Sequence, residues 1–394
     1  MSRKDGRKLE NWLKGLLQYV EETESPREFW LWSGIFTLAS ALQRRVWIPF
    51  GLDNIYPNLY VLLVAPPGKC RKGSPVSLSK KLLQEIRIPV SADSTSKRAL
   101  TQELVEISEG QVFNYKGKLR PQAPLAIISK EMSSLLALDP KGMIEALTDL
   151  FDSHDEWKYK TSSQGHDFLY GVCVSCLIAT TPNWLANNLP QGAIGGGYTS
   201  RHVILCGYEK YKRVAIPPPP DVKIYEKLIH DLNKVAQLVG QFRWGEGAED
   251  FFIDWYNSLD DLIKRTPDTR LHGYIERIHI IALKVAMALR VSYSSELVLS
   301  PNDLGRAIDL ATEALSSASD ALGGHGQSHL GPKTVEVERQ IKAKGRMTLK
   351  ELLLANYRDI SLPELREILE SLQAMNKIKL VFSSRGDQIA VYNK

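Results

Sequence analysis

Apolar positions recur at helical spacing in "LENWLKGLLQYVEE" and again in "SPREFWLWSGIFTLASALQRR". The second segment opens with Ser25 as the expected N-cap and Pro26 as the first helical residue. Short apolar runs in "VWIPFG" and "NLYVLLV" then read as strands. A helix to about Glu85 follows, then a strand in "IRIPVSADS" ending at Asp93. "STSKRALTQELVEISEG" is a helix capped by Ser94 or Thr95, and "QVFNYKGKLR" a hairpin turning at Lys116-Gly117. "PLAIISKE" reads as a buried strand, and "MSSLLALDPKGMIEALTDLFDSH" as helix broken at Pro140. A second hairpin joins "EWKYKT" to "FLYGVCVSCLIATT" through "SSQGHD". "LANNL" is a short helix, "PQGAIGGGYTSR" a glycine-rich loop, and "HVILCGY" a further strand. Apolar strands alternating with helices predict a three-layer α/β core.

The proline run "IPPPPD" marks a boundary, because it can continue neither a helix nor a strand. Beyond it the pattern is helical to about Leu322, with Ser300 capping the last long helix. "GGHGQSHLGPK" reads as a flexible linker. Three short helices and a strand pair, "IKLVFSS" and "QIAVYNK", complete the chain, turning at Arg385-Gly386-Asp387. The expected organisation is an N-terminal helical region (1–50), an α/β core (51–215), a helical lid (216–322), the linker (323–332) and a terminal domain (333–394).

Composition adds little until charge is located. The 394 residues are 43% hydrophobic and 24% charged, as in an ordered globular protein, with a net charge of +5. That mild excess permits an acidic partner such as nucleic acid. No segment reaches the length of a membrane span, and the basic start leads into an amphipathic helix, not a secretory signal, so a cytoplasmic protein is expected. Cys173 and Cys176 form C-x-x-C within a strand, where side chains three apart point to opposite faces. They read as buried structural cysteines of a reducing compartment, not as a metal or redox pair.

The chemistry begins at "VAPPGKCRKGSPVSLSKKLL", where a strand, a turn, a lysine, a hydroxyl and a helix follow one another. A phosphate-binding loop has this order of parts, although the pattern G-x-x-x-x-G-K-[ST] is not met: Ala65 and Cys70 stand at the glycine positions and one residue is extra. In such a loop, here Pro67 to Gly73, the backbone N–H groups from Gly68 onwards point at phosphate oxygens, with Cys70 among them. Gly68 and Gly73 give a permissive backbone, Lys72 the charge, and Ser74 the metal-side hydroxyl. Lys69 and Arg71 are additional cations, and the competing reading is a basic surface turn. Glu131 ends the strand "PLAIISKE", where a carboxylate can hold a metal shell or polarise water; it could equally start a helix. Thr180, Thr181 and Asn183 end the next strand and could orient that water, or simply make the turn around Pro182. Arg201, between a glycine-rich loop and a strand, suits a finger reaching into a neighbouring subunit, or a plain surface cation.

Taken in order, these pieces resemble an AAA+ ATPase. The stretch from about Pro57 to Tyr208 looks like the phage, prophage and plasmid ATPases of primase/helicase type, relatives of the superfamily 3 and minichromosome-maintenance helicases. "APPGKCRKGS" resembles that group's loop, "AIISKEMSSLL" its acidic strand, "IATTPNWL" its sensor strand and "AIGGGYTSRHVIL" its arginine segment. The resemblance implies a P-loop NTPase core, ATP and Mg²⁺ as ligands, a homo-oligomer, expectedly a hexamer, and Arg277 (or Arg270) as a second sensor arginine in the lid. It also implies that the hairpin before the sensor strand enters the pore, with Lys158, Lys160 and His166 tracking DNA; an ordinary solvated hairpin is the alternative. Three helices and a two-stranded wing match a winged helix, which would contact DNA through Arg366, Lys377, Lys379 and Arg385. The expected function is an ATP-dependent replicative helicase of mobile-element type. A nucleotide-switched initiator or helicase loader that does not unwind is the second class. No primase-like or nuclease segment is visible.

Overall fold

The computed structural model describes residues 6–161, 165–194, 197–322, 330–382 and 387–393. Within it the chain forms two compact units. One comprises residues 1–181 and 190–319, the other residues 182–189 and 320–394. The proline run at 216–221 lies inside the first.

The first unit is built on a parallel sheet of β1 (Tyr60–Val64), β2 (Ala123–Ser129), β3 (Val172–Thr180) and β4 (His202–Cys206), in the order β4-β1-β3-β2. Every residue of β1, β2 and β3 is buried, so both faces of the sheet are covered. That accounts for their uninterrupted apolar runs, since a half-solvated sheet would alternate. Val90 makes one parallel bridge to Ala126, and this is all that forms of the strand expected in "IRIPVSADS". Its two ladder bonds are Ala126 N to the Pro89 carbonyl and Ser91 N to the Ala126 carbonyl, and Pro89, which has no N–H, cannot extend the pairing as a donor. The "VWIPFG" strand, Val46–Phe50, joins Asp53–Ile55 and Gly240–Gln241 in a separate small sheet.

Helices α1 (Trp12–Tyr19) and α2 (Arg27–Leu42) precede the sheet. They approach closely because Gly34 has no side chain; a Cβ there would lie 2.7 Å from Leu16 Cδ2. Ser25 does not cap α2. Pro26 holds the cap position with extended backbone, and the Ser25 hydroxyl donates instead to the Arg71 carbonyl. After β1 comes α3 (Gly73–Glu85), and α4 (Lys97–Gly110) packs against β2. The cap of α4 is Ser96, whose hydroxyl accepts from Ala99 N, and not Ser94 or Thr95.

Both expected hairpins form. Lys116 (φ 50°) and Gly117 (φ 79°) make the left-handed turn of the first. The second pairs Glu156–Thr161 with Gly165–Tyr170, so Gly165 to Asp167, expected in the turn, are strand. The single strand expected from Phe168 to Thr181 is broken at Gly171 into two strands of different sheets; residues 162–164 lie outside the described residues. Helix Pro140–Leu150 starts where expected, with the Asp139 side chain accepting from Gly142 N. Cys173 and Cys176 are both buried and free, and burial raises both thiols, that of Cys173 to about 11. From Val222 to Leu322 the chain is mainly helical, as expected, with Ser300 and Asp303 capping the last helix reciprocally. No helix among the described residues is long and apolar enough to cross a membrane.

The second unit contains helix Gly331–Lys344, strand Arg346–Thr348, helices Leu349–Asn356 and Leu362–Ala374, and strands Ile378–Phe382 and Gln388–Tyr392. Gln388–Tyr392 lies between the other two strands in an antiparallel sheet. Thr348 with Glu351 and Ser361 with Glu364 form capping boxes that start its second and third helices. Val337, Ile341, Leu352, Leu365 and Leu372 supply its core.

Gly171 connects the second hairpin to β3 at φ 67°, and a Cβ there would lie 2.3 Å from the Pro121 carbonyl oxygen. Gly171→Ala is therefore expected to cost about 2 kcal/mol or more of unfolding free energy, read as a lowered urea midpoint.

Candidate functional site

The loop after β1 leaves the sheet at its carboxyl edge, where ligands of open α/β sheets gather. Its root is fixed on both sides. Ala65 N donates to the Thr180 carbonyl (3.2 Å), and Gly207 N to the Val64 carbonyl (2.9 Å). Gly68 turns the chain at φ 68°, and Arg71 is also left-handed at φ 49°. Cys70, at the expected glycine position, is 1% exposed, and its thiol donates to the Glu209 carbonyl at 3.2 Å. Burial pushes this thiol up, as suits a packing residue and not a nucleophile.

Arg71 turns away from the loop's interior to Glu24 (2.8 Å). Lys210 takes the other oxygen of the same carboxylate at 2.6 Å, and Val214 N reaches it at 3.4 Å. Together the Lys210 and Arg71 hydrogen bonds hold the Glu24 carboxyl at about 2. With Ser25 bonded to the Arg71 carbonyl, the segment before α2 grips the loop from outside. The sequence reading missed this clamp, because Glu24 and Ser25 carry no local mark of a partner in the loop.

The backbone N–H groups of Gly68, Cys70, Arg71 and Lys72 have no protein acceptor among the described residues. Helix α3 starts directly after Lys72 without a side-chain cap; Ser74 N donates to the Arg71 carbonyl (2.9 Å) and Pro75 has no N–H, so Gly73 N is the first-turn donor without an acceptor among the described residues. Unpaired donors at an uncapped helix start are what a polyphosphate requires, and the loop fits one despite its missing glycines. Lys72 is 9% exposed, with Nζ 3.6 Å from the Glu131 carboxylate just beyond the end of β2. Ser74 is exposed at the start of α3, beside a hollow of about 610 Å³ lined also by Arg71, Ser77, Lys81 and Lys130. Pro67 and Lys69 are exposed on the loop's crest.

Thr180 ends β3 opposite Val64 and is buried; Thr181 follows, half-buried. Asn183 belongs to the second unit, on helix Pro182–Asn188, and its side-chain oxygen accepts from Asn187 (2.7 Å).

Arg201 lies at the opposite edge of the sheet from the loop. It precedes β4, whose first residue pairs with Tyr60 while the loop follows Val64. Its guanidinium binds the Gly197 carbonyl (2.8 Å) and Asp152 (2.9 Å), and its Nε has no hydrogen-bond partner among the described residues. Two cations approach the Phe151 ring, Arg201 at 5.8 Å and the buried Lys284 at 4.5 Å from its centroid. Arg277 is close by: burial, then the Arg201 charge, lower its pKa, while Asp152 opposes them. Of the two arginines expected from different motifs, Arg201 is ion-paired with Asp152 and Arg277 feels the charge of both. Arg270 is instead held by Asp268 at 2.7 Å.

Lys158 is exposed on its hairpin, 3.7 Å from Glu156. The side chains of Lys160 and His166 lie outside the described residues, although the two positions pair across the hairpin. In the second unit Arg366 and Lys379 are exposed, Lys377 is paired with Glu338 at 3.2 Å, and Arg385 lies outside the described residues.

The Glu24 clamp has a defined pH signature. A carboxyl lowered from 4.5 to about 2 by folding stabilises the fold fully above pH 4.5, and that contribution is lost as the pH falls towards 2. Glu24→Gln should therefore be less stable than the parent by a constant margin above pH 4.5, with the gap closing in more acid solution. Chemical denaturation across that range checks it.

No family model and no curated protein matches the chain. Among solved structures, a full-length MCM homologue from Methanopyrus kandleri aligns with 17% identity and a TM-score of 0.44. The alignment covers 78% of this chain and 59% of that one, so the chain spans less than two thirds of that protein's length.

Proposed function

We propose that the chain is an ATP- and Mg²⁺-dependent DNA motor: a ring-forming replicative helicase of mobile-element type, working as a hexamer. The observation that carries this reading is the meeting of Lys72 and Glu131, 3.6 Å apart at the carboxyl edge of a parallel sheet. Around them are a loop with unpaired N–H groups, an uncapped helix start and a threonine strand end. In this reading the loop backbone and Lys72 bind the β and γ phosphates, and Glu131 polarises the attacking water. Thr180 or Thr181 orients that water. Ser74 and Glu131 would hold Mg²⁺, which when bound neutralises phosphate charge.

Arg201 supports the ring. From the far edge of the sheet it cannot serve the loop of its own chain, whereas a neighbour docked on that edge would present its loop to it. Arg277 would act at the same interface. The second unit has the element order of a winged helix, with Leu362–Ala374 as its third helix and the last two strands as its wing. Arg366, Lys377 and Lys379 would there meet phosphates, and the hairpin bearing Lys158 would track the strand in the pore. Unwinding of a forked duplex on ATP addition tests the motor; ATP-dependent DNA binding without unwinding would instead mark an initiator or loader.

Lys72→Ala should abolish ATP turnover, because among the described residues no other cation is paired with Glu131; full activity would show that another residue serves the phosphates. Arg201→Ala should bind ATP nearly normally yet lose about 10³-fold in turnover, as when a finger arginine is removed. Mixing it with Lys72→Ala should restore part of the ATPase, since some interfaces then pair an intact loop with an intact arginine. Asp152→Asn is the control. It removes the same ion pair, so a purely structural arginine would make both variants equally unstable and neither rescuable.

For the tail, Arg366→Ala and Lys379→Ala should each weaken DNA binding and reduce the salt slope of log K by about 1. Fluorescence anisotropy over a salt titration reads both effects. An unchanged slope would remove these residues from the phosphate contacts.

A further inference from the structure

The second unit carries a feature that phosphate contact does not use. A hollow of about 590 Å³ lies among the second helix, the third helix and the end of strand Ile378–Phe382. Leu353 and Leu362 line it, and Phe382 stands at its edge, 74% exposed. Lys350 and Arg366 line it too, both exposed and with no acidic partner among the described residues. Asp387 is the acidic residue on this lining, one carboxylate against the two cations.

The strand explains the position of the ring. Ile378, Leu380 and Phe382 share one face by the period of two. Ile378 is buried and Leu380 packs against the core, but the strand outruns the core before Phe382. Its aromatic face is therefore presented to the hollow and not consumed by folding. A single exposed apolar residue needs no explanation. An exposed aromatic ring beside two unpaired cations, on one hollow, does.

We propose that this hollow binds an unpaired base of single-stranded DNA, stacked on Phe382, with Lys350 and Arg366 on the flanking phosphates. The proposal rests on the reading of the tail as a DNA-binding unit and names what that unit takes. A base joined to its phosphates offers a flat π face and negative charge within one nucleotide, and the hollow provides for both. An apolar helix would use the ring but leave two cations against the single carboxylate of Asp387, and an acidic peptide would leave the ring unused. Paired bases are stacked inside a duplex, so the ring meets one only in a single strand or at a frayed end.

The test uses the full chain with a single strand, a blunt duplex and a forked duplex carrying 2-aminopurine at the fork. Phe382→Ala should lose about tenfold or more in single-strand affinity, together with the 2-aminopurine quenching, while blunt-duplex affinity changes little. Phe382→Tyr should retain both, and Phe382→Leu should lose the quenching. Because the side chain is 74% exposed, an unchanged melting temperature is expected for all three. If Phe382→Ala changes neither affinity nor quenching while Arg366→Ala still weakens binding, the stacking proposal is overturned and the DNA reading of the tail stands. If neither variant alters binding, the DNA reading itself fails. Full affinity in Phe382→Leu, or a Phe382→Ala variant that alters only the oligomeric state in sedimentation, would assign the hollow to protein contact and overturn the proposal.

Discussion

Everything at the candidate site depends on how a loop poor in glycine is kept open. A phosphate loop must expose several backbone N–H groups at once, a conformation with few bonds of its own. Glycine usually lowers the steric cost of that shape, but here the position holds Cys70, and Arg71 takes a left-handed conformation. External contacts replace the missing freedom. Cys70 is buried against the Glu209 carbonyl, Ser25 ties the Arg71 carbonyl, and Glu24 joins Arg71 to Lys210. The clamp directs Arg71 outwards, leaving Lys72 as the loop cation that faces Glu131. It also makes the segment before α2 and the segment after β4 part of the site.

The parallel sheet imposes a second constraint. Its strands all point their carboxyl ends one way, so anything that follows a strand joins the loop and anything that precedes one lies on the opposite edge. Glu131 and Thr180 end strands, whereas Arg201 precedes one. A protein using Arg201 on ATP needs a second copy to do so. The arginine is meanwhile held in a fixed direction, its terminal nitrogens on Gly197 and Asp152 and its plane near Phe151. Such fixing limits the reorganisation needed when charge develops in a transition state.

Much of this was legible in the chain because it follows from short-range rules. Buried parallel strands appear as unbroken apolar runs, the Lys116-Gly117 turn needs left-handed residues, and Pro140 must start a helix after Asp139. Where the reading failed, two local preferences competed. Ser94, Thr95 and Ser96 can all cap, and packing selected Ser96. Ser25 is well suited to cap α2, but the loop carbonyl took its hydroxyl. The clamp and the gathering of Arg201 and Arg277 around Asp152 were not legible. They join residues distant in sequence through tertiary structure alone, and no spacing rule encodes them.

The distribution of charge divides the work between the two units. Residues 333–394 carry twelve Lys/Arg and eight Asp/Glu, a net +4 within a chain of +5. The remainder is nearly neutral, so its cations act singly and at short range: Lys72 on Glu131, Arg201 on Asp152, Arg71 on Glu24. Such pairs are fixed by geometry and partly shielded from salt by burial. The tail's cations are largely exposed, where attraction to a polyanion is long-ranged and falls steeply with ionic strength. On the proposed reading, salt should therefore separate the two activities. Raising ionic strength would weaken capture of DNA by the tail before it disturbed chemistry at the loop, because the former would depend on a screened field and the latter on contacts a few ångströms long.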